Sequence, residues 1–487
     1  MPNEFSIQTL QNIKSQVKQK LVHKKIEKAI IAIAKRSNIT AAAIKESELP
    51  DYDINENSEY IKIIENIHCT FKLLDSRNSE TYYRLPNNKL QKSTPKLIKE
   101  KNESDLKEFK KHIKIIKVGL SSQKKRIEEY FLTNRTLSYS EFFKHYFENN
   151  FIKILSKDII WNFNSDSFNA NLLYFNNEFV DAENNKYNKE LKKCKVTLWH
   201  PIFTDQSTTL KWRSFITRNK IHQPFKQAFR EMYISTPEEQ QLENCSNRYT
   251  GHILNKDHVS MLCKERGWSS SGIDSGGKVK YSLPESVYKV EFDMREIYLG
   301  QRSKNHGSAH VLTDKVRFYE NKKQLPLGDI PPHLFSEAMR DIDLFIGVTS
   351  IGNDPDWATT ENSEGLSYWL FYANGELTER SKVRADVLKK TIPQTKIASS
   401  CGFEGKYLTV QGQLRKYKIH MGSGNILMEP NDQFLYMADS AKRRKADKVF
   451  IPFEGDYTLT TILSKAMLLA NDAKIKDPLL LKQINSE

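Results

Sequence analysis

The sequence predicts an α+β protein, and three observations lead there. The first third carries long segments with apolar residues at spacings of three to five, the signature of amphipathic helices. The last third carries short alternating or β-branched and aromatic runs bounded by turn residues, the signature of strands. The chain has 487 residues, 38% hydrophobic, enough for a core and for two to four domains.

Taken in order, residues 5–35 read as one helix. Leu10, Ile13, Val17, Leu21, Ile26, Ile30 and Ile33 form its apolar stripe, and lysines cover the other side. "SNITAAAIKES" predicts a short second helix, capped by Asn38 or Thr40 and ended before Pro50. "YIKII", "CTFKLLD" and "TYYRL" predict three strands. "LPNNKLQKSTPKLIKEKNES" is a polar linker. Residues 103–132 form a basic helix, and "LSYSEFFKHYF" starts another, capped by Ser138 or Ser140. "IIWNF", "LLYFNNEFVD" and "KVTLWHP" predict strands. "QPFKQAFREMY" (Gln223–Tyr233) predicts a helix opened by Pro224. "NKDHVSMLCKERGW" predicts a short helix ending near Gly267, and "SSSGIDSGGK" a loop. Further on, "VYKVEFDM", "AHVLTDKVRFY", "KYLTVQGQLRKYKIHMG", "NILMEPNDQFLYMAD" and "KVFIPF" read as strands. "PPHLFSEAMRDIDLFIGV", "GELTERSKVRADVLKKTIP" and "TLTTILSKAMLLAND" read as helices.

Grouped by type, these segments predict three units. Residues 1–150 are mainly helical with a small β element at about 58–85. Residues 151–275 are mixed α/β, and 285–487 form a β-rich module with helices. No stretch is long enough to span a bilayer, and "AIIAIA" is too short for a signal peptide. A cytoplasmic protein with no membrane partner is expected. The five cysteines stand apart without a C-x-x-C pair, which argues against disulfides and a cysteine zinc site. The net charge is +15. Residues 1–150 hold 28 Lys/Arg against 19 Asp/Glu, so +9 lies there. This balance suits an acidic partner, although Lys, Asn and Ile are abundant throughout.

The order of several motifs carries a family resemblance. "SNITAAAIKESELPDYDI", "WHP" (199–201), "QPFKQAFREMY", "RYTGH" (248–252) and "RGW" (266–268) follow one another. They resemble the bacterial domain-of-unknown-function family of molybdate-metabolism-regulator-like proteins. "SEAMRDIDLF", "IHMGSGNILM" and "PFEGDYTLTTILSKAMLLANDAKIKDP" resemble the C-terminal module that accompanies it. The resemblance implies no demonstrated chemistry. Longer relatives carry helical repeats or a Trp-Gly-Arg domain. Neither is read in this chain, which looks like a shortened member.

Within these motifs, "RKYKIHMGSGNILMEPN" offers an anion site. Gly422 and Gly424 permit close backbone approach, and successive amides there can form a nest. Ser423 and Asn425 add donors, and Lys418 and His420 add charge. The turn is not a P-loop, and it can equally be a plain strand connection. Asp456 or Thr458 caps the last long helix, whose apolar face is Leu459, Ile462, Leu463, Ala466 and Leu469, with Lys465 off that face. Glu454 and Asp456, two apart, can bind a metal or simply cap. Glu337, Arg340 and Asp341 share about one helical turn, which suits an ion pair within the helix or, alternatively, a catalytic acid. Lys226 and Arg230, one turn apart on the expected helix, can grip phosphate. His306 and His310 are spaced for a metal, but Gly307 argues against the helix this needs. "AKRRKADK" (441–448) reads as a solvated loop. No metal site is expected, and no cofactor is named by the sequence.

The leading expectation is a regulatory or interaction protein that binds an anionic partner, nucleic acid or a nucleotide, with a protein partner also open. The alternative is an enzyme acting on a nucleotide or nucleic acid near His420 and Asp456. The 422–424 turn, His420 and the helix start at Asp456 are expected to share a polar pocket; clustering of His420, Asp456 and Glu337 around one pocket would favour the enzyme, and an exposed basic stripe without a pocket would favour binding.

Overall fold

Among the described residues, four antiparallel sheets faced by helices make up the α+β fold of the computed structural model. It describes residues 49–241, 244–271, 273, 277–284, 286–302, 308–437 and 449–486, the helix over 20–37, and isolated positions before residue 49. The expected short helix over 37–47 lies outside the described residues except for Ser37 and Glu46, as do most of the positions before residue 20. His306 and the basic run 441–448 also lie outside them.

Helix α1 (Lys20–Ser37) is part of the first expected helix, and its Ile26 and Ile30 are buried. Strands β1 (Glu59–Ile64), β2 (Ile67–Leu73), β3 (Ser79–Arg84) and β4 (Leu90–Gln91) form the first sheet in that order. Glu65 and Asn66 turn β1 into β2 with φ of 49° and 60°, the left-handed pair that suits a two-residue hairpin. From β2, Cys69, Phe71 and Leu73 point inward and join Leu106, Phe109 and Ile116 of α2 (Glu103–Glu128) in one core. The expected polar linker carries β4 and a short helix, Lys96–Lys101, which buries Ile98.

The second sheet runs β5-β10-β6-β7-β8-β9. Its strands are β5 (Thr136–Ser138), β6 (Trp161–Ser165), β7 (Phe168–Phe175), β8 (Glu178–Val180), β9 (Lys186–Tyr187) and β10 (Lys195–Leu198). Period-2 alternation gives it two unlike faces. Leu137, Val196, Phe163, Trp161 and Leu172 are buried in the first core, while Thr136, Lys195, Asn164 and Asn169 are exposed. Ser138 caps the next helix, Tyr139–Phe143, with Glu141 completing a capping box. Since β5 pairs with β10, this sheet joins residues from both sides of position 150.

Helix α3 (Gln206–Arg218) follows, capped by Asp205, and α4 (Lys256–Glu265) is capped by Asn255. The third sheet combines β11 (Cys245–Ser246), β12 (Ile253–Asn255), β13 (Lys278–Ser282), β14 (Tyr288–Arg302), β15 (Ser308–Glu320) and β16 (Lys323–Gln324). Strands before and after the glycine-serine loop both pair into it, so no sheet ends at that loop. Helices α5 (Pro332–Thr349), α6 (Ser363–Ala373) and α7 (Glu379–Thr391) precede the fourth sheet. That sheet is a meander of β17 (Cys401–Glu404), β18 (Tyr407–Gln411), β19 (Lys416–His420), β20 (Ile426–Met428) and β21 (Gln433–Phe434). Helices α8 (Tyr457–Leu469) and α9 (Pro478–Ile484) close the chain. Trp212 and Phe215 of α3 share a core with Leu388 of α7, Leu408 and Ile419 of the meander, and Leu459 of α8. The middle and the C-terminal part are therefore packed as one body.

Two expectations are corrected. Gln223–Tyr233 is not helical. It is a threaded segment with every residue buried except Met232. Its backbone and side chains find partners outside any helix: the Gln223 amide oxygen accepts from Ala228 N at 2.9 Å, and Gln227 bonds Ile160 and Trp199. Tertiary partners on all sides override a helical pattern that needs only one apolar face. "KVFIPF" forms no strand over its described residues. Pro452 O accepts from Gln223 N at 3.0 Å, so this run backs the threaded segment instead of joining a sheet.

Candidate functional site

The glycine turn after β19 is built the opposite way from an anion nest. Ser423 N donates to His420 Nδ1 at 3.1 Å, Gly424 N to His420 O at 2.8 Å, and Asn425 N to Ser423 Oγ at 3.3 Å. The turn presents carbonyls instead. Met421 O and Gly422 O accept from Arg384 Nη1 at 2.8 and 2.7 Å, and Gly424 O accepts from Lys465 Nζ at 2.9 Å. Gly424 is needed for its φ of 76°. Asn425 is buried and donates to Gly352 O at 3.4 Å. Lys418 pairs with Asp432 at 2.8 Å and Glu429 at 3.4 Å.

His420 is buried, with Nε2 at 2.9 Å from Gly375 O and Nδ1 receiving the Ser423 amide. Burial pushes its pKa down to about 4, so the ring is neutral near pH 7. On that ground the ring does not add the charge expected of it at the turn. One side chain links the turn to the helix start: Arg384, whose Nη1 holds the turn, places Nε 3.1 Å from Asp456 Oδ1. Asp456 caps α8 by accepting from Leu459 N at 3.0 Å, and also meets Lys226 at 3.4 Å. The anion at this helix start is thus the protein's own carboxylate. Burial would raise its pKa, but Arg384 and Lys226 hold it far below the usual carboxylate range. Glu454 turns away to Lys124 at 3.2 Å, so it forms no metal pair with Asp456.

The four charged residues of α5 each reach different partners. Glu337 takes Arg230 through two nitrogens, at 2.6 and 2.5 Å, and lies 3.2 Å from His200 Nε2. Arg340 reaches Glu231 at 2.8 Å. Asp341 accepts from Arg266 at 2.9 and 2.7 Å and from the Trp268 indole at 2.9 Å, which explains "RGW". Asp343 accepts from Tyr233. The expected pairing within one helical turn is corrected: the helix is buried, and its charges tie separate elements together. Lys226 meets Glu231 at 2.5 Å, so neither Lys226 nor Arg230 is left for a phosphate. Against burial, Arg230 and His200 keep Glu337 well below the carboxylate range. An amide nest does occur elsewhere: Gln413, Leu414 and Arg415 donate their backbone N–H groups to buried Asp472, at 2.8 to 3.2 Å.

The polar face of the second sheet, by contrast, is open. A cleft of about 830 Å³ lies on it. Register places Thr136, Thr197, Asn162 and Asn171 in one row across the strands, and Lys195, Asn164 and Asn169 in the next. Lys193, Asp166, Trp199, His200 and Phe203 complete the parts of the lining that bear charge or rings. Asn162 Nδ2 donates to Asn169 Oδ1 and Asn171 Oδ1, both at 2.9 Å. Phe203 is 55% exposed and meets His200 edgewise and His333 at a tilt. Sequence reasoning missed this face, although "WNFNSDSFNAN" shows it: asparagines alternate with Trp161 and Phe163 before a turn and with Phe168 and Ala170 after it.

Residues 89–268 match the model of a domain of unknown function (DUF4132), and residues 381–484 match that of a second domain of unknown function (DUF7737). No curated protein and no solved structure matches the chain. The expected kinship with domains of unknown function is upheld at that level, and neither description mentions molybdate. The first match holds the amide-lined face and ends at Trp268. The second begins one residue after Arg380 and contains the glycine turn and Asp456. Among the described residues no helix is long and apolar enough to cross a membrane, and no three His, Cys, Asp or Glu residues are grouped to hold a metal.

Proposed function

We propose that this is a regulatory or interaction protein that binds an anionic partner, a nucleotide or nucleic acid, on the polar face of the second sheet. One observation carries this reading. Lys193 and Lys195 line the cleft with one carboxylate, Asp166, and neither lysine makes an ion pair among the described residues. Around them stand amides and hydroxyls, the groups that orient a polar ligand in a concave site. The rival reading, an enzyme working through His420 and Asp456, has less support, because both groups are buried and bonded on every side that the geometry shows.

The test is anisotropy with a labelled single-stranded oligonucleotide at rising salt. Binding is expected at low salt and falls as salt rises. Changing both lysines to Gln is expected to flatten the log–log salt slope by about 1.4, the contribution of two phosphate contacts on a single strand. Binding with an unchanged slope in the double variant removes this face from the reading.

A further inference from the structure

Resting on the reading of this face as an anion site, we infer that its occupant is a free nucleoside polyphosphate. It lies along β10, with its phosphates on Lys193 and Lys195 and its base against Phe203. The two ends of the cleft differ in kind. Lys193 and Lys195 stand at the start of β10, while His200 and Phe203 follow its end. Burial lowers the pKa of both His200 and His333, so the aromatic end carries rings without added charge. A polynucleotide would need cations repeated along its path; here they are gathered at one end. A single nucleotide has this same separation of charge, sugar and ring.

The floor between the ends is polarised. Asn162 spends its N–H donors on the carbonyl oxygens of Asn169 and Asn171, which leaves the N–H groups of those two amides for a ligand. Donors suit the acceptor-rich sugar and phosphate of a nucleotide. From Lys195 to Trp199 the chain covers about 13 Å at ~3.3 Å per residue, the reach of one nucleotide with its phosphate tail. The cleft of about 830 Å³ is of the size that takes a small ligand. Phe203 offers an exposed ring for the stacking contact.

Calorimetry on the full chain tests this with the four ribonucleoside triphosphates, adenosine, tripolyphosphate and a single-stranded oligonucleotide lacking terminal phosphate. At least one triphosphate is expected to bind more tightly than the oligonucleotide. Lys193→Gln with Lys195→Gln is expected to weaken that triphosphate and tripolyphosphate at least tenfold while leaving adenosine unchanged. Phe203→Ala is expected to weaken the triphosphate by roughly 5- to 100-fold while leaving tripolyphosphate unchanged. All three positions are exposed, so folding should survive, as circular dichroism would verify. Oligonucleotide binding without triphosphate binding overturns this inference and leaves the broader reading standing. Failure of every probe overturns both, and triphosphate binding indifferent to the variants overturns the location.

Discussion

Arg230 has 1% of its side chain exposed, yet it meets Glu337 through two nitrogens and Glu128 through a third, and lies over the Phe131 ring. Removing one member of such a pair strands the other charge in the core. Arg230→Met is therefore expected to cost about 3–5 kcal/mol of unfolding free energy, while Arg230→Met with Glu337→Leu recovers most of it. Urea denaturation of the three proteins measures both; a double variant as unstable as the single would mean that the charges do more than balance each other. His420 gives a pH-dependent expectation. Its folded pKa of about 4 lies below the ordinary 6.5, so the unfolded chain takes up the proton first as pH falls. The associated stability is complete above pH 6.5 and is lost as pH falls toward 4, by about 3 kcal/mol at ~1.4 kcal/mol per unit. His420→Asn is expected to be less stable at pH 7.5 but to lose less between pH 7.5 and 4.5. An acid limb of unchanged steepness in that variant would show that other groups set it.

At the scale of elements, the threaded segment 223–233 separates what the sequence could reveal from what it could not. Periodicity found α2, α5, α7 and α8, strands β1 to β3 and the runs that hold β18 to β21, because apolar residues recur there at the helix or strand spacing; it missed β4 and β17. The same spacing of Phe225, Phe229 and Met232 misled, because this segment is buried all round and its backbone bonds to side chains from distant parts of the chain. The glycine turn was legible as a turn. Its polarity was not, since Arg384 and Lys465 reach it from separate helices. The Asn face was legible in the alternation of 161–171 but needed β10 beside β6 to bring Lys195 to Asn164. Limited trypsin digestion tests the threading. Lys89 and Lys92 lie in the exposed stretch around β4 and are expected to be cut first. Lys226 and Arg230 are expected to resist until the chain unfolds globally. Early cleavage at either would contradict the threaded segment.

At the scale of the whole molecule, the buried charges and the open face divide the work. Arg230, Lys226, Glu337 and Asp456 connect α2, the threaded segment, α5 and the start of α8, and so hold the regions of both family matches in one body. The face over β10, β6 and β7 stays free to meet a ligand. Hydrogen–deuterium exchange on the full chain, with and without the triphosphate that binds most tightly, tests this division most directly. The account predicts added protection in 161–171 and 193–204 and none in 420–425 or 456–459. Protection confined to the glycine turn and the start of α8, with the sheet face unchanged, would contradict it.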